Sequence, residues 1–142
     1  MDKSILDASV VIKWFVKEQD RDKAITYLTA FQNNEVVLIF PSLLFYELGN
    51  VLIKKKATIG LINEVMVKFQ QLNLLGLEIQ DIGLLSFRQI YQNSIEYSLT
   101  FYDAAYLTLM QKENCQFVTA DRKLFEKVHK NFKAVKLLSD LF

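Results

Sequence analysis

Four acidic residues, Asp7, Glu47, Asp103 and Asp121, stand where apolar stretches begin, end or are interrupted. Asp7 closes Ser4-Ile5-Leu6, and Asp121 closes Phe117-Val118-Thr119-Ala120. Asp103 opens Ala104-Ala105-Tyr106-Leu107. Glu47 is the one charged residue between Val36 and Ile53. If the fold gathers the four, like charges at close range cannot all stay ionised without a cation. The chemistry such a set offers is an all-oxygen site for a hard divalent ion.

Taken singly, each acid also has an ordinary role. Asp7 reads as a turn residue after a strand, and Ser9 as a helix N-cap. The Asp-x-Ser spacing nevertheless puts a carboxylate and a hydroxyl at one helix N-terminus, where anions are favoured. Glu47 shares a helical face with Leu44, Leu48 and Val51, and burying an unpaired charge there is costly. It therefore needs either a lysine from elsewhere or a function. Asn50, three residues on, joins its face. Thr100-Phe101-Tyr102-Asp103 is a capping box that alone accounts for Asp103. Asp121 reads as an N-cap before Arg122-Lys123-Leu124, and Thr119 shares its direction along a strand. Lys54-Lys55-Lys56 is most simply a run at a helix C-terminus, although it could meet phosphates. Cys115 and His129, the single cysteine and histidine, carry no catalytic spacing.

The elements that must position these acids alternate. Ile5-Leu6, Val36–Ile39, Leu77–Gln80, Gln116–Thr119 and Ala134–Leu137 read as strands. Helical patterns cover Val10–Gln32, broken near Gln19-Asp20, then a segment opened by Pro41-Ser42 and running to Lys55. Gly60–Leu75, Phe87–Tyr97, Phe101–Glu113 and Arg122–His129 follow. Proline favours the first helical position, which places Pro41 at that helix start. Strands alternating with helices predict a mostly parallel sheet covered on both faces. Ligands of such sheets sit outside the carboxyl ends of the strands, where Asp7 and Asp121 fall.

The 142 residues are expected to form a single domain, 1–142, with no repeat or Gly/Ser/Pro linker. Apolar content is 51% and mean hydropathy +0.14, high enough to expect some apolar surface against a partner chain. A net charge of +1 gives nucleic-acid binding no bulk support, so any basic surface must be local. One cysteine permits no internal disulfide, in keeping with a reducing cytoplasm. Pro41, Glu47 and Asn50 argue against a membrane span through Val36–Ile53.

Four blocks carry a family resemblance. Leu6-Asp7-Ala8-Ser9-Val10-Val11-Ile12-Lys13-Trp14 resembles the opening of PIN-domain nucleases, and Pro41 through Leu52, around Glu47, their second motif. Thr100 through Leu107 is similar to the third, and Phe117 through Leu124 to the fourth. The order is right and nearly the whole chain is spanned. Within the superfamily the chain looks most like VapC-type toxins of toxin–antitoxin pairs. The resemblance implies a three-layer α/β/α sandwich with a central, mostly parallel sheet. It also implies a Mg²⁺- or Mn²⁺-dependent endoribonuclease, usually homodimeric and blocked by a small antitoxin. Asp7, Glu47, Asp103 and Asp121 would be its catalytic and metal-binding quartet, with Asp7 and Asp103 as direct ligands. Ser9 and Thr119 would fix waters or a phosphate oxygen, with Asn50 in support. Lys13, Lys54, Arg122 and Lys123 could contact phosphates. Gly49 departs mildly from the small alanine-like residues common at its position.

Other readings compete. The chain could be a PIN nuclease of RNA processing or decay with no antitoxin, or a catalytically silent protein-binding module. A receiver-like phosphoacceptor would want paired acids near the first strand, which Asp2 and Asp7 do not supply.

Overall fold

The computed structural model describes all residues, 1–142. Five strands form one sheet: β1 (Asp2–Leu6), β2 (Val36–Pro41), β3 (Glu78–Gln80), β4 (Gln116–Thr119) and β5 (Val135–Leu137). Their order is β3-β2-β1-β4-β5, and every neighbouring pair is parallel. Parallel strands need crossovers, and the helices α1 (Ala8–Val11), α2 (Arg21–Gln32), α3 (Leu43–Lys54), α4 (Ile59–Leu74), α5 (Phe87–Tyr97), α6 (Phe101–Glu113) and α7 (Arg122–Val128) supply them.

Alternation along the strands divides the core in two. Leu6, Leu38, Phe40 and Val118 face one layer with Val10, Trp14, Leu28, Leu44, Leu48 and Leu72. Ile5, Ile39, Phe117 and Val135 face the other with Ile90, Tyr106, Leu107 and Leu124. Both faces of the central strands are dry, which is why these strands read as continuous apolar runs. The three-layer α/β/α expectation is met.

Three local expectations change. The first helix starts at Ala8 rather than Val10, because Asp7 is its N-cap and accepts the Ser9 amide at 3.1 Å. Only one turn follows before a 3₁₀ segment, Ile12–Trp14, and an irregular stretch closed by Asp20 at φ 63°. The Trp14 indole then ties this corner to α2 through the Ala24 carbonyl, 2.9 Å away. Pro41 is the last residue of β2, not the first of α3. Its lack of an N–H costs nothing at that strand end, and the next amide, Ser42, pairs with the Gln80 carbonyl at 2.9 Å.

Candidate active site

Asp7 and Thr119 leave the adjacent central strands β1 and β4 at the same level, since Leu6 is in register with Val118. The two corners are knitted together by side chains. The Thr119 hydroxyl donates to Asp7 Oδ2 at 2.6 Å, and the Ser9 hydroxyl donates to Oδ1. Ser9 Oγ in turn accepts the Ala120 amide at 2.9 Å, and Thr119 Oγ1 accepts the Asp121 amide at 3.1 Å. The Asp-x-Ser spacing thus orients Asp7 and ties the two strand exits together. Ser9 and Thr119, read from the sequence as fixing waters or a phosphate oxygen, direct their hydroxyl protons to this carboxylate.

Helices α3 and α6 bring two further acids to the same rim. Asp7, Glu47, Asp103 and Asp121 line one cleft of about 370 Å³, with Ser9, Tyr46, Asn50, Lys54 and Tyr102 also on its walls. The ordinary roles are present too. Thr100 Oγ1 caps the Asp103 amide at 3.1 Å, but the return bond from the Asp103 carboxylate to the Thr100 amide is not made. Asp121 caps α7 with Oδ1 alone, at 3.0 Å from the Lys123 amide and 3.2 Å from that of Leu124. No lysine pairs with Glu47.

The electrostatics follow from depth. Burial pushes the Asp7 carboxyl up to about 7; the Ser9 and Thr119 hydrogen bonds lower it, and Glu47 and Asp103 raise it further. Burial raises Glu47 as well; the Tyr106 hydroxyl lowers it and Asp103 adds to the rise. Asp103 is raised by burial and by Asp121, with Thr100 and Lys127 opposing. The acids therefore feel one another across the cleft.

Tyr106 is the residue the sequence did not single out. It is fully buried on α6, stacked on Phe117 with centroids 5.6 Å apart. Its hydroxyl and Glu47 Oε1 are the two buried side-chain polar atoms with no partner at hydrogen-bonding geometry. The two side chains are close enough for each to act on the other's proton affinity, and burial followed by Glu47 drives the phenol's pKa upward. Its place in the apolar block Ala104–Leu107 reads only as core, so nothing in the sequence marked it. Tyr46 and Tyr102, each one residue before an acid, are exposed on the cleft walls and were likewise missed.

The expected phosphate contacts separate. Lys54 lines the cleft. Lys13 does not: its ammonium is held by the Gln19 carbonyl at 2.8 Å and by Glu18 at 3.6 Å. Arg122 and Lys123 are exposed at the start of α7, outside the cleft lining. Asn50 lines the cleft without bonding to Glu47.

The donor set is all oxygen, its buried members have raised proton affinities, and Glu47 Oε1 is orphaned. That combination fits a hard divalent cation. No three of the acids converge as a ready-made ligand cage. Mg²⁺ keeps several waters and takes one or two carboxylates directly, so a spread constellation is compatible with it.

Fold and site together define an α/β/α protein with a carboxylate-lined cleft at the carboxyl ends of a parallel sheet. The chain belongs to the PIN domain family, whose model matches residues 4–131. PIN domains are generally nucleases and typically use divalent metals. The fold is similar to that in the crystal structure of PAE2754 from Pyrobaculum aerophilum, with a TM-score of 0.67 at 20% identity, covering 99% of this chain and 91% of that one. No curated protein matches the sequence. No helix is long and apolar enough to cross a membrane.

Proposed function

We propose that the chain is a Mg²⁺- or Mn²⁺-dependent endoribonuclease hydrolysing RNA phosphodiester bonds, and that it acts as the toxin of a toxin–antitoxin pair. The observation that carries the nuclease reading is the single cleft lined by Asp7, Glu47, Asp103 and Asp121, with Glu47 unpaired and Asp7 held by two hydroxyls. A silent binding module would have no need of three raised carboxyl groups in one cleft. The toxin assignment is supported by the sequence resemblance. A nuclease of RNA processing or decay would use the same cleft without a small protein inhibitor.

Asp7 and Asp103 would hold the cation, with Glu47 and Asp121 orienting water beside it. When bound, the cation offsets the clustered charge and polarises the phosphodiester toward attack by water. The chain's own contribution is orientation and proton handling. Ser9 and Thr119 fix both oxygens of Asp7, so the carboxylate enters the cleft in one attitude. Glu47 Oε1, with its raised proton affinity, is suited to take a proton from a water it orients. Asp121 spends Oδ1 on the α7 amides, and Oδ2 makes no hydrogen bond within the chain. No histidine is needed.

A homodimer belongs to the same reading. Phe87, Tyr91 and Ile95 are exposed at successive turns of α5, with Leu84 and Leu85 exposed just before it. Such an i, i+4, i+8 stripe suits burial against a second copy.

The test is cleavage of a mixed RNA pool with Mg²⁺ or Mn²⁺ and with EDTA, beside Asp7→Asn and Asp103→Asn. Both variants are expected to fold and to lose at least a hundredfold in rate, as removal of a group central to electrostatic catalysis does. Full activity in Asp103→Asn would leave that residue only its capping position.

A further inference from the structure

Charge is unevenly spread along this chain. From Arg122 to Lys136 stand six cations, Arg122, Lys123, Lys127, Lys130, Lys133 and Lys136, against one carboxylate, Glu126. The whole chain is only +1, so the remainder is net negative. The segment is α7, β5 and the turn between them, and β5 is an edge of the sheet. Five of the six cations are exposed, and Lys136 is half-buried. None enters an ion pair; the ion pairs of the molecule use Lys3, Lys13, Lys23 and Lys55. Lys127 alone is engaged, donating to the Ser98 carbonyl at 2.8 Å.

The fold lays these cations out as one band. It starts beside the cleft, because Asp121 lines the cleft and Arg122 follows it, while Lys127 is close enough to Asp103 to be felt there. Helix α7 then carries the chain about 10 Å away from that rim. Lys130 comes just after its last turn. Lys133 and Lys136 line two grooves that flank β5. One lies between α7 and the strand, with Phe125 and His129; the other lies at the amino ends of β1, β4 and β5, with Lys3 and Gln116. Asp140 stands in the first groove; Asp2 and Glu113 stand in the second, Glu113 being paired with Lys3 at 3.6 Å. The band is also bare of large exposed apolar side chains, since none lies between Tyr102 and Phe142. A protein partner calls for an apolar centre to its interface, and a membrane surface for apolar side chains to insert. A phosphate backbone calls for neither.

Resting on the nuclease reading above, we propose that this band is a second RNA-binding surface outside the cleft, on which Lys130, Lys133 and Lys136 hold phosphates remote from the bond to be cut. Unpaired like charges gathered on one face repel one another, and a polyanion relieves that repulsion while releasing its own counterions. Contacts of this kind set position and affinity without reading sequence. An RNA short enough to stay within the cleft cannot reach Lys133 or Lys136, so the benefit falls on long RNA alone.

The experiment compares wild type with a triple variant, Lys130→Gln, Lys133→Gln and Lys136→Gln, in which no residue of the cleft is touched. Cleavage of a long transcript and of a hexanucleotide is followed in Mg²⁺. The triple variant is expected to raise KM for the transcript about tenfold with kcat unchanged, and to cut the hexanucleotide as wild type does. In an Asp7→Asn background, which removes cutting, the same three changes should lower the slope of log affinity against log salt for the transcript by about 2, at roughly 0.7 per phosphate lost. Lys17→Gln, Lys68→Gln and Arg88→Gln together remove as much charge away from the band and should alter neither KM nor slope. Equal losses on transcript and hexanucleotide, an equal loss in that control, or an unchanged salt slope each overturn the proposal; cations that serve an acidic protein partner would give the last. If wild type cuts neither RNA, the nuclease reading itself fails, and the salt slope alone then decides whether the band holds RNA.

Discussion

At the residue scale, the central fact is a carboxyl group out of water. Asp7 is 6% exposed, and burial lifts its pKa from 3.8 to about 7. An acid raised in the folded state keeps a proton that the unfolded chain releases. The stability this confers is complete below the unfolded value and is lost as pH rises through about 7. In EDTA, the contribution of Asp7 should fall by on the order of 4 kcal/mol from about pH 4 to about pH 8. Asp7→Asn should flatten that slope and be the more stable protein at the alkaline end. Urea midpoints against pH for both proteins check it; parallel curves would mean that Asp7 is not the group responsible. Tyr106 makes a second case. Its hydroxyl is buried without a well-formed partner, so Tyr106→Phe should leave metal-free stability unchanged or slightly improved. If that hydroxyl helps to hold Glu47, the same change should weaken Mn²⁺ binding about tenfold. Equilibrium denaturation paired with a Mn²⁺ titration separates the two effects, and identical Mn²⁺ affinity would reduce Tyr106 to packing against Phe117.

At the element scale, the site is made by helix starts. Asp7, Thr100 and Asp121 each accept backbone amides in the first turn of α1, α6 and α7. Capping and chemistry are thus not alternatives: one oxygen of Asp121 caps while its side chain still lines the cleft. Helix α3 is different, because Glu47 projects from its middle. Gly49, two residues on, is a helical glycine with open space where a Cβ would stand. Gly49→Ala should therefore stabilise the protein by about 0.5–1 kcal/mol in urea denaturation without loss of cleavage. Destabilisation would show that the glycine has a packing duty. Gly76, by contrast, ends α4 at φ 94° and should not tolerate the same change.

At the scale of the whole molecule, one end of the sheet gathers what the chain spreads over more than a hundred residues. The opposite face of the problem is the apolar surface left over. Phe87, Tyr91 and Ile95 line one side of α5 while Ile90 and Asn93 are buried on the other. The chain is expected to be a dimer by light scattering, with Tyr91→Glu shifting it toward monomer. A dimer untouched by that change would move the interface elsewhere.

Much was legible in advance, and for a physical reason. The periods of apolar residues report burial directly, so strands, helices and the parallel, doubly covered sheet could be read from them. Acids at strand ends could be read too, because a charge closing an apolar run is a local pattern. Boundaries were less legible: Pro41 closed a strand instead of opening a helix, and Asp7 displaced Ser9 as a cap. The lysines were beyond reach. Lys13 and Lys54 look alike in sequence, and only the fold gave one to Glu18 and the other to the cleft. The pairing of Tyr106 with Glu47, the Thr119 hydroxyl on Asp7 and the aromatic walls at Tyr46 and Tyr102 all join residues distant along the chain. By itself the sequence determined which groups could do the chemistry and which segments would be buried. The tertiary structure decided which of those groups meet, because distance, desolvation and mutual charge exist only once the chain has closed on itself.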